Sequence, residues 1–525
     1  MAKKSSALLF SAIAVLFPVA IGVLAAESPS ANPVFVRDFK VKSDDYTVLM
    51  ACMGKHPEES KPFRLDHRQL QLTDWKLGSE ISWEVEVMEP GDYIVNVLFN
   101  HSVKFALKLE VSCGSSNASA IAVPAAVVGE YVDPDGLERP AQDGAQAWRR
   151  LSLAGALKLP KGKANLVLKI TGEDGAKEGA IELLSIELVR TDVEKQLRKR
   201  ADAFRSQADT RSFRSAKYGL MFHWHTWTAP RHGPLLPYAE AVRNFKVEPF
   251  VEQVLATGAG FVTITTSHSD MVIPAPIQSL DAVLPGRTSE RDLIGEIADA
   301  LNKHGVKLFL YYHLGSNSDP AWQKASGFWE TDTTTFWKNW CAVIGEMGDR
   351  YGDKLAGWWF DDGTTSYYYR SAPWEKLANT ALRGNPQRLV GFNSWILPPA
   401  TEFQHLFLGE SQPDPTVMGT LKPSDNGMIS SGMYRGLQAS AALTMEQEGW
   451  GHSKLEAEIG PPRYTAEQLT GMVRRFEALG NVPIFNCSIY QDGTFSPKTV
   501  EVIQAMKRLL AKPITIDPEA KLKNE

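Results

Sequence analysis

Cysteine is scarce in this chain. Four occur in 525 residues, at Cys52, Cys113, Cys341 and Cys487, and no two form a C-x-x-C pair. A structural zinc site therefore has no sequence support. Cys52 and Cys113 fall in the same N-terminal region; they read either as a disulfide in an oxidising compartment or as two free thiols. No charge of one sign dominates either. The formal net charge is −5, which gives no reason to expect nucleic acid or an anionic membrane surface as partner. After residue 24 no segment is apolar enough to span a bilayer. The one long apolar run is Ala7–Leu24, broken by Pro18, preceded by Lys3 and Lys4 and followed by small residues to Ala26. It reads as an export signal over residues 1–26, with an uncleaved anchor as the alternative. The mature protein is then expected to be secreted or periplasmic. No cofactor and no metal are expected, and the sequence leaves the oligomeric state open.

What is present divides into two patterns. Residues 33–190 read as all-β: Ile81–Val87, Tyr93–Phe99, Lys104–Val111 and Ala164–Ile170 alternate polar and apolar side chains, as strands with one face on a core do. Turn signals separate them at Pro90-Gly91-Asp92 and Pro160-Lys161-Gly162-Lys163. A sandwich of short strands fits. The phrases GDYIVNVLF and LPKGKANLVLKI resemble core strands of jelly-roll carbohydrate-binding modules; a spacer or docking role is the plainer alternative. Residues 191–213 are charged and lack Gly and Pro, and are read as a helical linker. From 214 to 515 short apolar runs alternate with helix-like stretches. Eight strands are expected, at 217–223, 261–266, 306–313, 355–361, 388–395, 403–410, 440–446 and 481–488. Nearly continuous apolar runs suit parallel strands covered on both faces. The pattern predicts a (β/α)8 barrel following the β-rich region. Ser289 is expected to cap a helix through Leu301, and Thr465 with Gln468 to form a capping box. Strands 5 and 6 are joined by residues 396–402, too few for a helix. Residues 411–439 read as a long loop.

In such barrels chemistry gathers at the C-terminal strand ends. Asp361 and Asp362 end strand 4. Glu410 ends strand 6, Glu446 ends strand 7, and Glu448 follows closely. His223, His268 and His313 stand at the ends of strands 1 to 3, where imidazoles offer both a donor and an acceptor to sugar hydroxyls. Asn393 adds an amide, and Trp224, Trp359 and Trp395 offer indole faces for sugar rings. Two carboxyl groups at one mouth are the equipment of glycoside hydrolysis. Asp361 is the candidate nucleophile and Glu410 the candidate acid/base, with Asp362, Glu446 and Glu448 as alternates. The expected partner is a carbohydrate substrate.

These residues carry a family resemblance. KYGLMFHWHTWTAP, TTSHSDM, RDLIGEIADALNKHGVKLFLYYH, WWFDDG and NVPIFNCSIYQDGTFSP resemble, in order over about 214 to 512, segments of the α-L-fucosidase family of retaining glycoside hydrolases. The resemblance implies an exo-acting enzyme that releases terminal fucose or a similar deoxysugar, with Asp361 as nucleophile. Departures stand beside it. The family's paired histidines are here His268-Ser269, and its strand-1 Gly is His225. The Trp-Glu of some relatives falls near Gln438 to Ala441, where no carboxylate stands, whereas Glu410 matches a different family Glu. A β-rich region precedes the barrel, where the family usually carries one after it. Two other readings remain: a catalytically inactive sugar-binding barrel, and a metal-dependent barrel hydrolase using His223-Trp224-His225 with His268 and His313.

Overall fold

The structure is a computed structural model describing residues 39–56, 61–62, 72–73, 75–101, 105–123, 131–132, 138–139, 148–172, 181–314, 319–361, 367, 371–393, 401–410, 421–430 and 434–512. Residues 1–26, read above as an export signal, lie outside these residues, as do Asp362 and Trp395. Among the described residues no helix is long and apolar enough to cross a membrane.

The N-terminal region forms two main sheets, antiparallel in almost every pairing. One runs Phe39–Val41, Glu80–Val87, Gly162–Gly172, Leu107–Cys113 and Ser116–Ala122, its first pair being parallel. The other is built on Gly91–His101 beside Ile181–Arg190, with Trp148–Ser152 outside the former. Alternation puts Trp83 and Val85 of the first sheet and Tyr93, Val95, Val97 and Ile186 of the second into one buried core. The indole N–H of Trp83 donates to Met50 O at 3.0 Å, so this large ring is buried without an orphaned donor. Cys52 and Cys113 are unpaired, and burial pushes the Cys52 thiol up to about 12.

Ile181–Arg190 runs directly into helix α1 (Thr191–Gln207). Leu197, Ala201 and Phe204 repeat at helical spacing and are all buried. The barrel follows: β1 (Gly219–Phe222), β2 (Phe261–Thr265), β3 (Lys307–Tyr312), β4 (Leu355–Phe360), β5 (Leu389–Phe392), β6 (Leu406–Glu410), β7 (Gln438–Thr444) and β8 (Val482–Asn486). All ladders are parallel, and β8 pairs back onto β1. The interior is filled by Met221, Phe261, Phe309, Tyr311, Trp359, Leu389, Leu408 and Ile484. Gly357 makes room for one of these rings: a Cβ there would sit 2.1 Å from Phe309. Phe213, just before β1, closes the lower end against Phe261 at 4.9 Å.

The barrel is almost closed, because no ladder joins β5 to β6. Side chains take its place. The Val390 N–H donates to His405 Nδ1 at 3.1 Å and the Phe392 N–H to Gln404 Oε1 at 2.9 Å, while the His405 N–H donates to Val390 O at 2.7 Å. With Nδ1 accepting, the proton sits on His405 Nε2, which donates to Phe204 O of α1 at 3.2 Å. Phe204 also stacks on the His405 ring at 4.6 Å. Helix α1 thus covers the seam left by the short β5–β6 connection.

Boundaries differ from expectation in physically clear ways. Helix α2 (Leu293–Asn302) is capped by Asp292, which accepts from Gly295 N, and not by Ser289. The Thr465–Gln468 capping box is present at the start of α3 (Ala466–Ala478). The final helix α4 (Pro497–Leu510) begins at Pro497. β7 starts at Gln438, inside the stretch read as loop, because Gln438 pairs with Leu406. Of that stretch, residues 411–420 and 431–433 lie outside the described residues.

Candidate active site

Asp361 follows β4 directly, and its backbone stays in ladder-like contact. Its N–H donates to Tyr312 O at 2.9 Å, and the Asn393 N–H donates to Phe360 O at 2.7 Å. The two side chains are therefore set side by side at the barrel mouth. Asn393 Nδ2 donates to Asp361 Oδ1 at 2.8 Å and to Glu410 Oε2 at 2.7 Å. Two oxygens held at those distances from one nitrogen lie no more than about 5.5 Å apart. The Tyr311 hydroxyl donates to Asp361 Oδ2. Asp361 therefore has a donor on each oxygen, which fixes the plane of the carboxylate.

Beside this pair lies an aromatic and imidazole wall. His223 is 5.0 Å from Tyr311 and 5.8 Å from His268, centroid to centroid. His268 stacks on His313 at 4.8 Å. Asn486, ending β8, donates to Trp450 O at 3.0 Å, so its Oδ1 is the acceptor for His223 Nδ1–H at 2.7 Å. That leaves His223 Nε2 as an accepting atom. Burial drives the His223 imidazole down to about 4, against raising contributions from the Asn486 bond and Asp361. It is neutral at neutral pH and suited to accept from a hydroxyl. His225 is also pushed well below its ordinary value by burial. Its ring lies 5.2 Å from His268, and its Nε2 has no hydrogen-bond partner.

The structure brings Asp361, Glu410, Asn393, His223, His268 and His313 to one mouth. Of the remaining candidates, those among the described residues are placed elsewhere. Glu446 is fully buried; Oε2 accepts from Ser488 N at 2.9 Å and Oε1 from the Thr499 hydroxyl at 2.5 Å, which ties the end of β7 to the segment after β8 and to α4. Burial raises its carboxyl to about 7, with a smaller contribution from Glu448. Glu448 is bound to His452 Nδ1 at 2.7 Å. Trp224 alternates away from His223. Its ring packs on Tyr238 and Phe245, and its indole N–H donates to Gln491 O at 3.0 Å. Trp359 lies one turn of the pleat below Asp361, inside the barrel core. Asp362 and Trp395 fall outside the described residues.

Three neighbours of the site escaped the sequence reading. Tyr311 is two residues before His313 on one strand, so period-2 alternation carries the signal. Asn486 ends β8, an equivalent strand-end position. Trp450, 5.4 Å from His223, sits on a loop and has no such periodic mark. Among the described residues no three His, Cys, Asp or Glu side chains converge as a metal-ligand group. Within the H-x-H, His223 Nδ1 is already engaged by Asn486.

Two carboxyl groups facing across one amide, at the C-terminal mouth of a (β/α)8 barrel, are the equipment that glycoside hydrolysis requires. The chain belongs to the alpha-L-fucosidase family, whose profile matches residues 238–512, just over half of its length. It is thus a glycosidase of the fucosidase kind. Among solved structures it is similar to an alpha-L-fucosidase GH29 from Bacteroides thetaiotaomicron, at 16% identity over 57% of this chain and 72% of that one, with a TM-score of 0.42. It is also similar to the alpha-L-fucosidase AlfC from Lactobacillus casei in complex with alpha-L-fucose, at 19% identity over 57% of this chain and 98% of that one, with a TM-score of 0.40. No curated protein matches the chain.

Proposed function

We propose that this protein is an exo-acting, retaining glycosidase that releases terminal α-L-fucose or a closely similar deoxysugar. The observation that carries the reading is the Asn393 amide shared by Asp361 and Glu410. A separation of at most about 5.5 Å leaves no room for a water between nucleophile and sugar, which is the spacing of retaining enzymes; inverting enzymes need roughly 6.5–9.5 Å. Asp361 Oδ attacks the anomeric carbon as Glu410 gives its proton to the departing oxygen. Glu410 then takes a proton from the water that opens the glycosyl-Asp361 ester. His223, His268 and His313 hold the sugar hydroxyls, with His223 Nε2 accepting. The N-terminal sheets are read as a jelly-roll carbohydrate-binding module and the first 26 residues as an export signal, which makes the enzyme secreted or periplasmic.

The test is turnover of an aryl α-L-fucoside with product anomers followed by NMR. The α-anomer should form first. Asp361→Gly should lose at least about 10³-fold in kcat/KM, and added azide should then yield the β-fucosyl azide. A β-anomer formed first by the wild type, or an Asp361→Gly variant as active as wild type, contradicts the reading.

A further inference from the structure

Arg463 stands at the rim of the barrel, on the loop that follows β7. The Arg463 guanidinium bonds the Thr444 hydroxyl at 2.8 Å, and the Arg463 N–H donates to Met445 O at 2.7 Å. Among the described residues it has no carboxylate partner. Two other arginines on the barrel loops are paired: Arg287 with Asp319 at 2.6 Å and Arg231 with Glu458. Arg463 is nevertheless half-buried, and a partly desolvated guanidinium is costly without an anion.

Its place in the fold says where an anion would sit. Ala442 lies in the barrel interior and is the register partner of Glu410. Thr444, two residues on, faces the same way. Strand spacing puts its Cα about 8 Å from that of Glu410. Arg463 therefore reaches over β7 beside the carboxyl read as the proton donor, which is the side from which a leaving group departs. The N-terminus of α3, two residues beyond Arg463, adds positive potential at the same edge.

We propose that Arg463 forms an oxyanion-recognising subsite for the leaving-group sugar, selecting substrates in which the residue bearing the fucose carries a carboxylate or a sulfate ester. The proposal rests on the placement of Glu410 as proton donor.

Three α-L-fucosyl disaccharides test it: one on a neutral hexose, one on the corresponding uronic acid, and one on the sulfated hexose. For wild type, kcat/KM on at least one acidic disaccharide should exceed that on the neutral one by about 10-fold. In Arg463→Gln that ratio should fall to near 1, and raising NaCl from about 20 mM to about 0.5 M should shrink it in wild type. The two acidic arms distinguish carboxylate from sulfate. Equal ratios in wild type and variant overturn the proposal. So does a parallel loss on all three substrates, which marks Arg463 as merely holding Thr444. Dissociation constants of the same disaccharides, measured on Asp361→Ala with and without Arg463→Gln, separate this proposal from the catalytic one. An acid preference that Arg463 controls, in a protein whose wild type cleaves nothing, keeps the subsite and discards the hydrolase.

Discussion

Asn393 is the residue on which the site geometry turns. Its single amide nitrogen serves both carboxyl groups, and such a bond is worth about 0.5–1.5 kcal/mol to a neutral acceptor and about 1.5–3 kcal/mol to an ionised one. Asn393→Ala should therefore lower kcat/KM on an aryl fucoside by about 10- to 100-fold and lower the melting temperature as well; Asn393→Asp should do worse by adding a third negative charge. Glu446 makes the opposite prediction, on stability and not on rate. Its carboxyl titrates near 4.5 when unfolded and near 7 when folded, because burial disfavours the charge. The stabilisation is complete below about pH 4.5 and is lost as pH rises through about 7. Melting curves of Glu446→Gln against wild type should coincide at pH 4 and separate at pH 8, with the variant more stable by about 1–3 kcal/mol. A difference of the other sign would show that Glu446 is held ionised. The sequence made Asp361, Glu410 and the three strand-end histidines legible, because strand ends of a barrel converge whatever the loops do. It could not separate Glu446 from Glu410. Both end a barrel strand, and only packing shows that one is locked to Ser488 and Thr499 while the other meets Asn393.

At the scale of elements, the seam between β5 and β6 matters most, since Asn393 and Glu410 stand on its two sides. It is held by Gln404 and His405 side chains in place of a ladder. His405→Leu keeps the bulk but leaves the Val390 N–H buried without a partner. A loss of about 2–4 kcal/mol is expected, read as a fall in melting temperature, with activity falling further as the carboxyl pair loses its spacing. Unchanged stability would mean that backbone contacts alone close the barrel. The strands themselves were readable as apolar runs with helices between. The seam was readable only as a connection too short for a helix, because nothing local to β5 or β6 reveals that a helix about 200 residues earlier lies over it. Trp224 shows the same limit at the strand end: His-Trp-His places every second side chain inward, so the middle ring had to pack against Tyr238 and Phe245.

For the molecule as a whole, α1 links the antiparallel sheets to the barrel and also completes the barrel. A crevice between them is lined by Tyr46, Arg150 and Glu187 of the sheet region and by Trp374, Glu402 and Phe403 of the barrel. Arg150 Nε donates to the buried Glu187 carboxylate at 2.6 Å. A chain beginning at Thr191 should remain folded, whereas one beginning at Ala208 loses Phe204 from the seam and should be markedly less stable in a thermal melt; equal melting of the two would deny α1 this role. Whether Asp361 is a nucleophile aimed at a sugar is decided by incubating the protein with 2-deoxy-2-fluoro-α-L-fucosyl fluoride and weighing it intact. A mass gain of one fluorofucosyl group is expected, mapped by peptide digestion to Asp361 and missing in Asp361→Ala. A protein that turns the reagent over or binds fucose without ever carrying that adduct, or that carries it on another carboxylate, would contradict it.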